Sequence, residues 1–323
     1  MHVVVTGAAG FIGSHTCERL IAQGHRVTGL DSFSDVLYPA EPKRGNAREL
    51  TRLARFRLVE GDICDPRAVA DAIGDDTDVV CHLAALAGVR PSLAQPLRYV
   101  RTNVEGTGVI LERMRAIGLR RMVFASSSSV YGANPGAVEA FREDAPCISP
   151  ASPYAATKRM NELQLSTYRD LFGIGVFALR YFTVYGPRQR PDMAIAKFCE
   201  AIARGAPLTL FGDGSTRRDY TFIDDIVSGT CAAIERVAPA RYELYNLGGT
   251  QTISLRELVE AIERASGMRA TIEWQPDQPG DVPITFANID RARAALDFAP
   301  TIGPSEGIAR YWNWRQHRTS DGR

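Results

Sequence analysis

Thr6-Gly7-Ala8-Ala9-Gly10-Phe11-Ile12-Gly13 is the stretch on which the fold turns. It follows an apolar run of strand length, Val3–Val5, and opens a helical pattern, which is the setting in which a glycine-rich loop holds phosphate. Gly7, Gly10 and Gly13 permit a tight turn and let backbone N–H groups approach a pyrophosphate at the positive end of the helix dipole. Glycines alone do not decide the matter, because strand-to-helix turns also use them for steric reasons. Asp31 supplies the second half of the pattern. It ends the next apolar run, 18 residues after Gly13, where a carboxylate accepts hydrogen bonds from the adenosine ribose. Ser32 and Phe33, which follow, bring no cation for a ribose phosphate, so the expected cofactor is NAD and not NADP.

Outward from this loop, strand-length apolar runs alternate with helical patterns: Arg26–Leu30, Phe56–Glu60, Asp78–Leu83, Met122–Ser126 and Val176–Arg180. Such alternation implies βαβ units and an α/β fold, a Rossmann-type doubly wound parallel sheet covered on both faces. Its ligands bind beyond the carboxyl ends of the strands, where strand order reverses. Residues 1–186 are expected to form this dinucleotide domain. From about Pro187 the rhythm changes to short elements punctuated by Gly and Pro, which predicts a smaller α/β substrate lobe over 187–315, with some chain returning to the first domain. A polar tail, frayed at its end, is expected over 316–323. Asp62-Ile63, after the third run, is placed to hold the adenine, although an Asp cap before Pro66 is a rival reading of the same residues.

The chain has 323 residues and is 45% hydrophobic, ample for a buried core. Its formal net charge of +1 comes with no basic stripe, which argues against nucleic acid as a partner. No apolar run approaches the roughly 20 residues that span a bilayer. Met1 to Gly7 already reads as strand and loop, leaving no room for a signal peptide. The six cysteines are scattered without a Cys-x-x-Cys pair and the five histidines have no ligand spacing. A reduced, cytoplasmic protein without a metal is expected.

Tyr154-Ala155-Ala156-Thr157-Lys158 sets a phenol and an ammonium one helical turn apart on one face. The only lysines are Lys43, Lys158 and Lys197, so with 11 tyrosines chance supplies about 0.1 such pairs. An ammonium at about 4 Å, at an effective dielectric near 20, favours a tyrosinate by up to about 4 kcal/mol. With a nicotinamide cation, this would make Tyr154 a usable base near neutrality. The run Ser126-Ser127-Ser128-Ser129 ends the fifth strand and offers hydroxyls to a sugar oxygen in the same crevice.

These pieces, with His82-Leu83-Ala84-Ala85, Asn103-Val104-Glu105-Gly106-Thr107, Ser127-Ser128-Ser129-Val130-Tyr131-Gly132 and Tyr185-Gly186-Pro187-Arg188, stand in the order and spacing of a known family. Over nearly its whole length the chain resembles the extended short-chain dehydrogenase/reductases, in particular the NAD-dependent nucleotide-sugar epimerases and dehydratases. The resemblance implies that Tyr154 is the acid or base, that Lys158 binds the nicotinamide ribose and tunes Tyr154, and that Ser127 is the catalytic hydroxyl. It further implies that Leu83, Ala84, Ala85 and Asn103 attend the cofactor, with Asn103 helping to position the set. A homodimer pairing the helices near Leu97–Ile117 and Tyr154–Phe172 is part of the same expectation.

Leu210-Phe211-Gly212-Asp213-Gly214 and Thr216-Arg217-Arg218-Asp219-Tyr220 resemble nucleotide-clamping segments of UDP-sugar enzymes. There Arg218 matches a pyrophosphate or uridine contact, and Asp281 matches a later contact. The 4,6-dehydratases of the family carry Asp-Glu where this chain has Ser128-Ser129, and the decarboxylating uronate enzymes usually carry Glu at the position of Ser129. Thr183, where most relatives have Asn, is similar to the UDP-glucuronate 4-epimerases, as are Ala87-Gly88-Val89-Arg90 and Arg188-Gln189-Arg190-Pro191-Asp192-Met193. Short hydroxyls at Thr183, Ser128 and Ser129 would meet a carboxylate, and Arg190 would add charge or close the site. Three other readings stay open: a UDP-glucose/UDP-galactose 4-epimerase, a UDP-glucuronate decarboxylase and a non-catalytic dinucleotide-binding sensor.

Overall fold

A computed structural model describes residues 1–132, 140–276 and 284–320. In chain order its strands are β1 (His2–Thr6), β2 (Arg26–Asp31), β3 (Phe56–Glu60), β4 (Val79–His82), β5 (Arg121–Ser127), β6 (Gly175–Tyr181), β7 (Thr183–Tyr185), β8 (Leu208–Phe211), β9 (Arg217–Phe222), β10 (Tyr242–Leu247), β11 (Thr252–Ser254), β12 (Ile272–Gln275) and β13 (Ile284–Thr285). Seven form one sheet in the order β10-β6-β5-β4-β1-β2-β3, and every pairing in it is parallel. The six expected strands are all there. Order reverses between β1 and β4, so a crevice opens at the carboxyl end of β1, where the glycine loop begins.

Burial explains why β1 reads as an unbroken apolar run. Val3, Val4 and Val5 are all fully buried, and alternate residues feed opposite faces: Val3 and Val5 join one core cluster while Val4 joins the other. A strand covered by helices on both sides has no solvent face on which to place polar residues. The seventh strand, β10, escaped the sequence reading because its Tyr-Glu-Leu-Tyr-Asn-Leu pattern belongs to a sheet edge and is half-polar. Asn246 within it is fully buried; its amide donates to Phe141 O at 2.8 Å and accepts from Tyr131 Oη at 2.6 Å.

The helix Pro153–Phe172 starts and stops on local signals. The Ser152 hydroxyl accepts from Ala155 N at 3.1 Å, Pro153 occupies the first turn, and Gly173 ends the helix in a left-handed conformation at φ 68°. Ala155, Lys158, Glu162 and Leu165 form its buried face, a spacing of three and four that turns two charged residues inward along with the apolar ones.

Beyond β6 the chain weaves between layers. β7 pairs with β9, which also joins β11 and β13, while β8 pairs with β12. Asp219, fully buried on β9, accepts from Gly249 N at 2.6 Å and Ala287 N at 3.1 Å, stapling two later segments onto that strand. The last helix runs Pro304–Ser320. Residues 316–320, expected as a tail, continue a helix anchored by the buried Tyr311 and Trp312, because backbone bonds propagate past the last packed turn.

Candidate active site

A cavity of about 580 Å³ occupies the crevice at the switch point. One wall contains Gly7, Gly10, Phe11, Ile12 and Gly13, then Asp31 and Ser32, then Asp62 and Ile63, then Leu83, Ala84 and Ala85. Close approach dictates the glycines. Gly7 has φ 70°, and a Cβ there would lie 2.9 Å from Ala84 Cα; a Cβ on Gly13 would lie 2.0 Å from the Gly7 carbonyl oxygen. The Asp31 carboxylate accepts from Ala9 N at 3.0 Å and Phe33 N at 2.9 Å. Burial pushes its pKa up, while these two N–H groups and the Lys43 ammonium hold it down. Asp65 is the helix cap, accepting from Arg67 N at 2.9 Å, while Asp62 lines the cavity and accepts from Cys64 N at 2.9 Å.

The opposite wall carries Ser127, Ser128, Ser129, Tyr154, Lys158, Thr183, Gly88, Val89 and Arg190. Ser127 ends β5 and caps a short 3-10 turn by accepting from Ser129 N at 3.1 Å, and its hydroxyl is near enough to the Tyr154 phenol to pull that group's pKa down. The Tyr99 ring meets Tyr154 edge-on, with centroids 6.2 Å apart, and its hydroxyl donates to Ala87 O at 3.1 Å. Arg190 offers its fork to Asp192, Nε to Oδ1 at 2.9 Å and Nη2 to Oδ2 at 2.6 Å. Its segment is tied to the helix after the glycine loop by His15 Nε2 to Pro187 O at 3.0 Å and by Arg188 to Glu18 at 2.8 Å.

Electrostatics departs from the simple expectation. Burial raises the Tyr154 pKa, and the influences pulling it down are the Ser127 hydrogen bond and the Arg190 guanidinium. The Lys158 ammonium instead donates to Ala125 O at 2.6 Å, and burial lowers its pKa to about 7. Two cations therefore serve the phenol's wall, and Arg190 is the one that acts on the phenol itself.

Three expected residues stand apart from the cavity wall. Asn103, 1% exposed in a π-helical turn, spends its amide elsewhere: Oδ1 accepts from Leu86 N at 2.8 Å, while Nδ2 donates to Leu86 O and to Thr157 Oγ1, both at 3.0 Å. It thus ties the loop after β4 to the Tyr154 helix and stands off the cavity wall. Arg90 is exposed, with its guanidinium 5.8 Å from the centroid of the Phe211 ring. Arg218 donates to Arg217 O at 2.9 Å. Asp281 lies outside the described residues. Conversely, the wall includes Lys43 and Tyr38, which sequence reasoning missed. The Lys43 ammonium bonds Ser34 O and sits 4.3 Å over the Tyr38 ring. Lys43 had one available signal, its rarity: it is one of three lysines in a chain with 38 Lys and Arg together.

Residues 3–248 match the model of the NAD dependent epimerase/dehydratase family, and the chain belongs to that family. It is 40% identical over 315 residues to the UDP-glucuronate 4-epimerase of Thermodesulfobacterium geofontis, covering 97% of this chain and 95% of the relative. The crystal structure of a UDP-glucuronic acid 4-epimerase from Bacillus cereus in complex with UDP-glucuronic acid and NAD superposes with a TM-score of 0.90 at 38% identity, over 98% of this chain and 100% of that one. The Thermus thermophilus UDP-glucose 4-epimerase, in complex with NAD, follows at a TM-score of 0.87 and 32% identity, over 98% and 99% of the two chains.

Proposed function

We propose that the protein is an NAD-dependent UDP-sugar 4-epimerase that interconverts UDP-glucuronate and UDP-galacturonate. The observation that carries this reading is one cavity joining the glycine loop and Asp31 to Tyr154 and Ser127 and to a wall of Ser128, Ser129, Thr183 and Arg190. Gly7, Gly13 and Asp31 fit NAD: the first two leave backbone space that a Cβ would fill, and the third presents a carboxylate to the ribose. Lys43 adds a cation beside Asp31, and Lys158, on the facing wall, is read as the residue that holds the nicotinamide ribose.

Bound NAD would supply a reversible hydride carrier, accepting hydride from carbon 4 of one epimer and returning it to carbon 4 on the other face. Tyr154 takes the proton from the 4-hydroxyl while Ser127 donates to the oxygen. The 4-keto sugar, held by its nucleotide, turns to present its other face, and Tyr154 returns the proton. A 4-keto glucuronate is a β-keto acid. It loses carbon dioxide quickly only when the bond to its carboxylate overlaps the carbonyl π system. Hydroxyl partners at Thr183, Ser128 and Ser129 keep that bond near the carbonyl plane, so they restrain the carboxylate as well as bind it.

Exposed Leu97, Val100, Met160, Leu163 and Leu171 on two neighbouring helices support a homodimer through that face. The free cysteines, five of them buried, suit the cytoplasmic setting that goes with this reading. Incubation of the purified protein with UDP-glucuronate or UDP-glucose, followed by product analysis, tests the reading: galacturonate is expected, and conversion of the neutral hexose alone would overturn it.

A further inference from the structure

Behind the wall of the cavity, Glu162 is fully buried and gripped from several sides. Arg180, 1% exposed, meets it with two N–H bonds, Nε to Oε1 at 2.8 Å and Nη2 to Oε2 at 2.9 Å. The Ser126 hydroxyl donates to Oε1 at 2.7 Å, and Arg159 Nη1 lies 3.1 Å from Oε2. A buried ion pair adds little stability over apolar packing of the same volume, so its placement needs another reason. Glu162 stands one helical turn after Lys158 on the same buried face. Ser126, which it holds, directly follows Ala125, whose carbonyl accepts from the Lys158 ammonium at 2.6 Å. Glu162 thus reaches Lys158 by two routes, along the helix and across through β5.

We propose that Glu162 is a positioning residue for Lys158: gripped by Arg180, it fixes Ser126, sets the Ala125 carbonyl against the ammonium, and balances that ammonium's charge inside the protein. The inference rests on the role proposed above for Lys158 in the epimerisation site. The surroundings leave this task to Glu162. From β4, His82 faces the ammonium as a neutral ring, its pKa lowered to about 3 by burial and by Lys158 itself. From β5 comes the Phe124 ring, 4.7 Å from the ammonium. Tyr154 and Glu162 share the helix with Lys158, and Arg180 on β6 spends its fork on Glu162. Burial pulls the Lys158 pKa down, and the Glu162 charge is what opposes that fall.

The chain's three lysines make a direct measurement practical. Protein grown with ¹³Cε-labelled lysine gives three resonances, that of Lys158 assigned by its absence in Lys158→Met. Its titration midpoint is read in the full-length protein, in Glu162→Gln, in Glu162→Asp, and in the double variant Glu162→Leu with Arg180→Met, which keeps the core neutral if the single change fails to fold. The midpoint is expected to move to lower pH in Glu162→Gln and in the double variant, and to return most of the way in Glu162→Asp. The alkaline limb of kcat/KM for UDP-glucuronate should move by the same interval, each pH unit corresponding to about a tenfold loss of rate above the midpoint. An unmoved midpoint in the folded variants overturns the proposal. A midpoint that moves while the rate profile stays fixed supports the role of Glu162 and overturns the reading of Lys158 as a participant in the reaction.

Discussion

The two walls of the cavity are built on different principles. The wall proposed to hold the cofactor works by backbone proximity: Gly7 and Gly13 leave no room for a Cβ, and Asp31 is oriented by two backbone N–H groups. The facing wall, proposed to meet the sugar, works by side-chain chemistry, with Tyr154, Lys158, Arg190 and a set of short hydroxyls converging from β5, the Pro153–Phe172 helix and the segments after β6. A wall made of backbone tolerates almost no substitution but performs no proton transfer. The other tolerates many substitutions structurally, and each should change a rate or a preference. Damage to the first should therefore appear as lost binding, and damage to the second as altered turnover.

The sharpest break of this comparison is Tyr154→Phe. Removal of one hydroxyl leaves the edge-on packing against Tyr99 possible, so folding and NAD binding should persist while kcat falls by about 10³-fold. Single-turnover assays with UDP-glucuronate, alongside NAD titration, check this; equal losses in both would mean that the phenol belongs to the binding wall. On the other side, Gly13→Ala drives a methyl into the Gly7 carbonyl oxygen. Such overpacking costs about 3 kcal/mol, which is roughly 100-fold in NAD affinity, measured by calorimetry. A variant with normal affinity and slow turnover would invert the contrast.

How far each wall was legible in the sequence follows from the same difference. Backbone proximity demands glycine at fixed spacing, so Gly7, Gly10, Gly13 and the distant Asp31 could be read before any coordinates, as could the strands whose continuous apolar runs reflect burial on both faces. Tyr154 and Lys158 were legible because helical periodicity brings them together. Asn103 was assigned to the cofactor, yet its amide is consumed by Leu86 and Thr157; sequence shows a polar residue at a place but not which neighbours will satisfy it. Lys43 reaches the wall from a helix on the far side of a loop, and β10 joins the large sheet beside β6 from some sixty residues further along the chain. Neither has a local pattern, because long-range closure alone puts them there.

Two intermediate changes sharpen the account of the sugar wall. Arg190→Met removes the cation that acts on Tyr154 and would face a uronate, so KM for UDP-glucuronate should rise about tenfold while that for a neutral UDP-hexose changes little; initial-rate comparison decides, and equal changes would remove the specificity role. Thr183→Ala deletes one restraint on the carboxylate, and the partition of product should shift from epimer toward pentose, read by chromatography of the nucleotide sugars. An unchanged partition would mean that Thr183 only fills space.

The smallest expected effect concerns the support beneath the cofactor wall. His82 hydrogen-bonds Thr6 Oγ1 at 2.7 Å and Thr107 Oγ1 at 3.0 Å, and Thr6 Oγ1 also receives Ala84 N at 3.1 Å. This network links the end of β1 to the loop that Gly7 touches, and it depends on a neutral imidazole. Burial and the Lys158 charge lower the His82 pKa from 6.5 to about 3. Between those values the unfolded chain binds a proton that the folded chain refuses, so stability must fall as pH falls below 6.5, and no such contribution exists above it. The slope amounts to about 1 kcal/mol per pH unit. Urea unfolding at pH 7 and pH 5.5 should therefore show a loss in the parent protein that is smaller by that amount in His82→Gln. Parallel losses in the two proteins would mean that the ring titrates freely, and that the backbone-built wall does not rest on a neutral support.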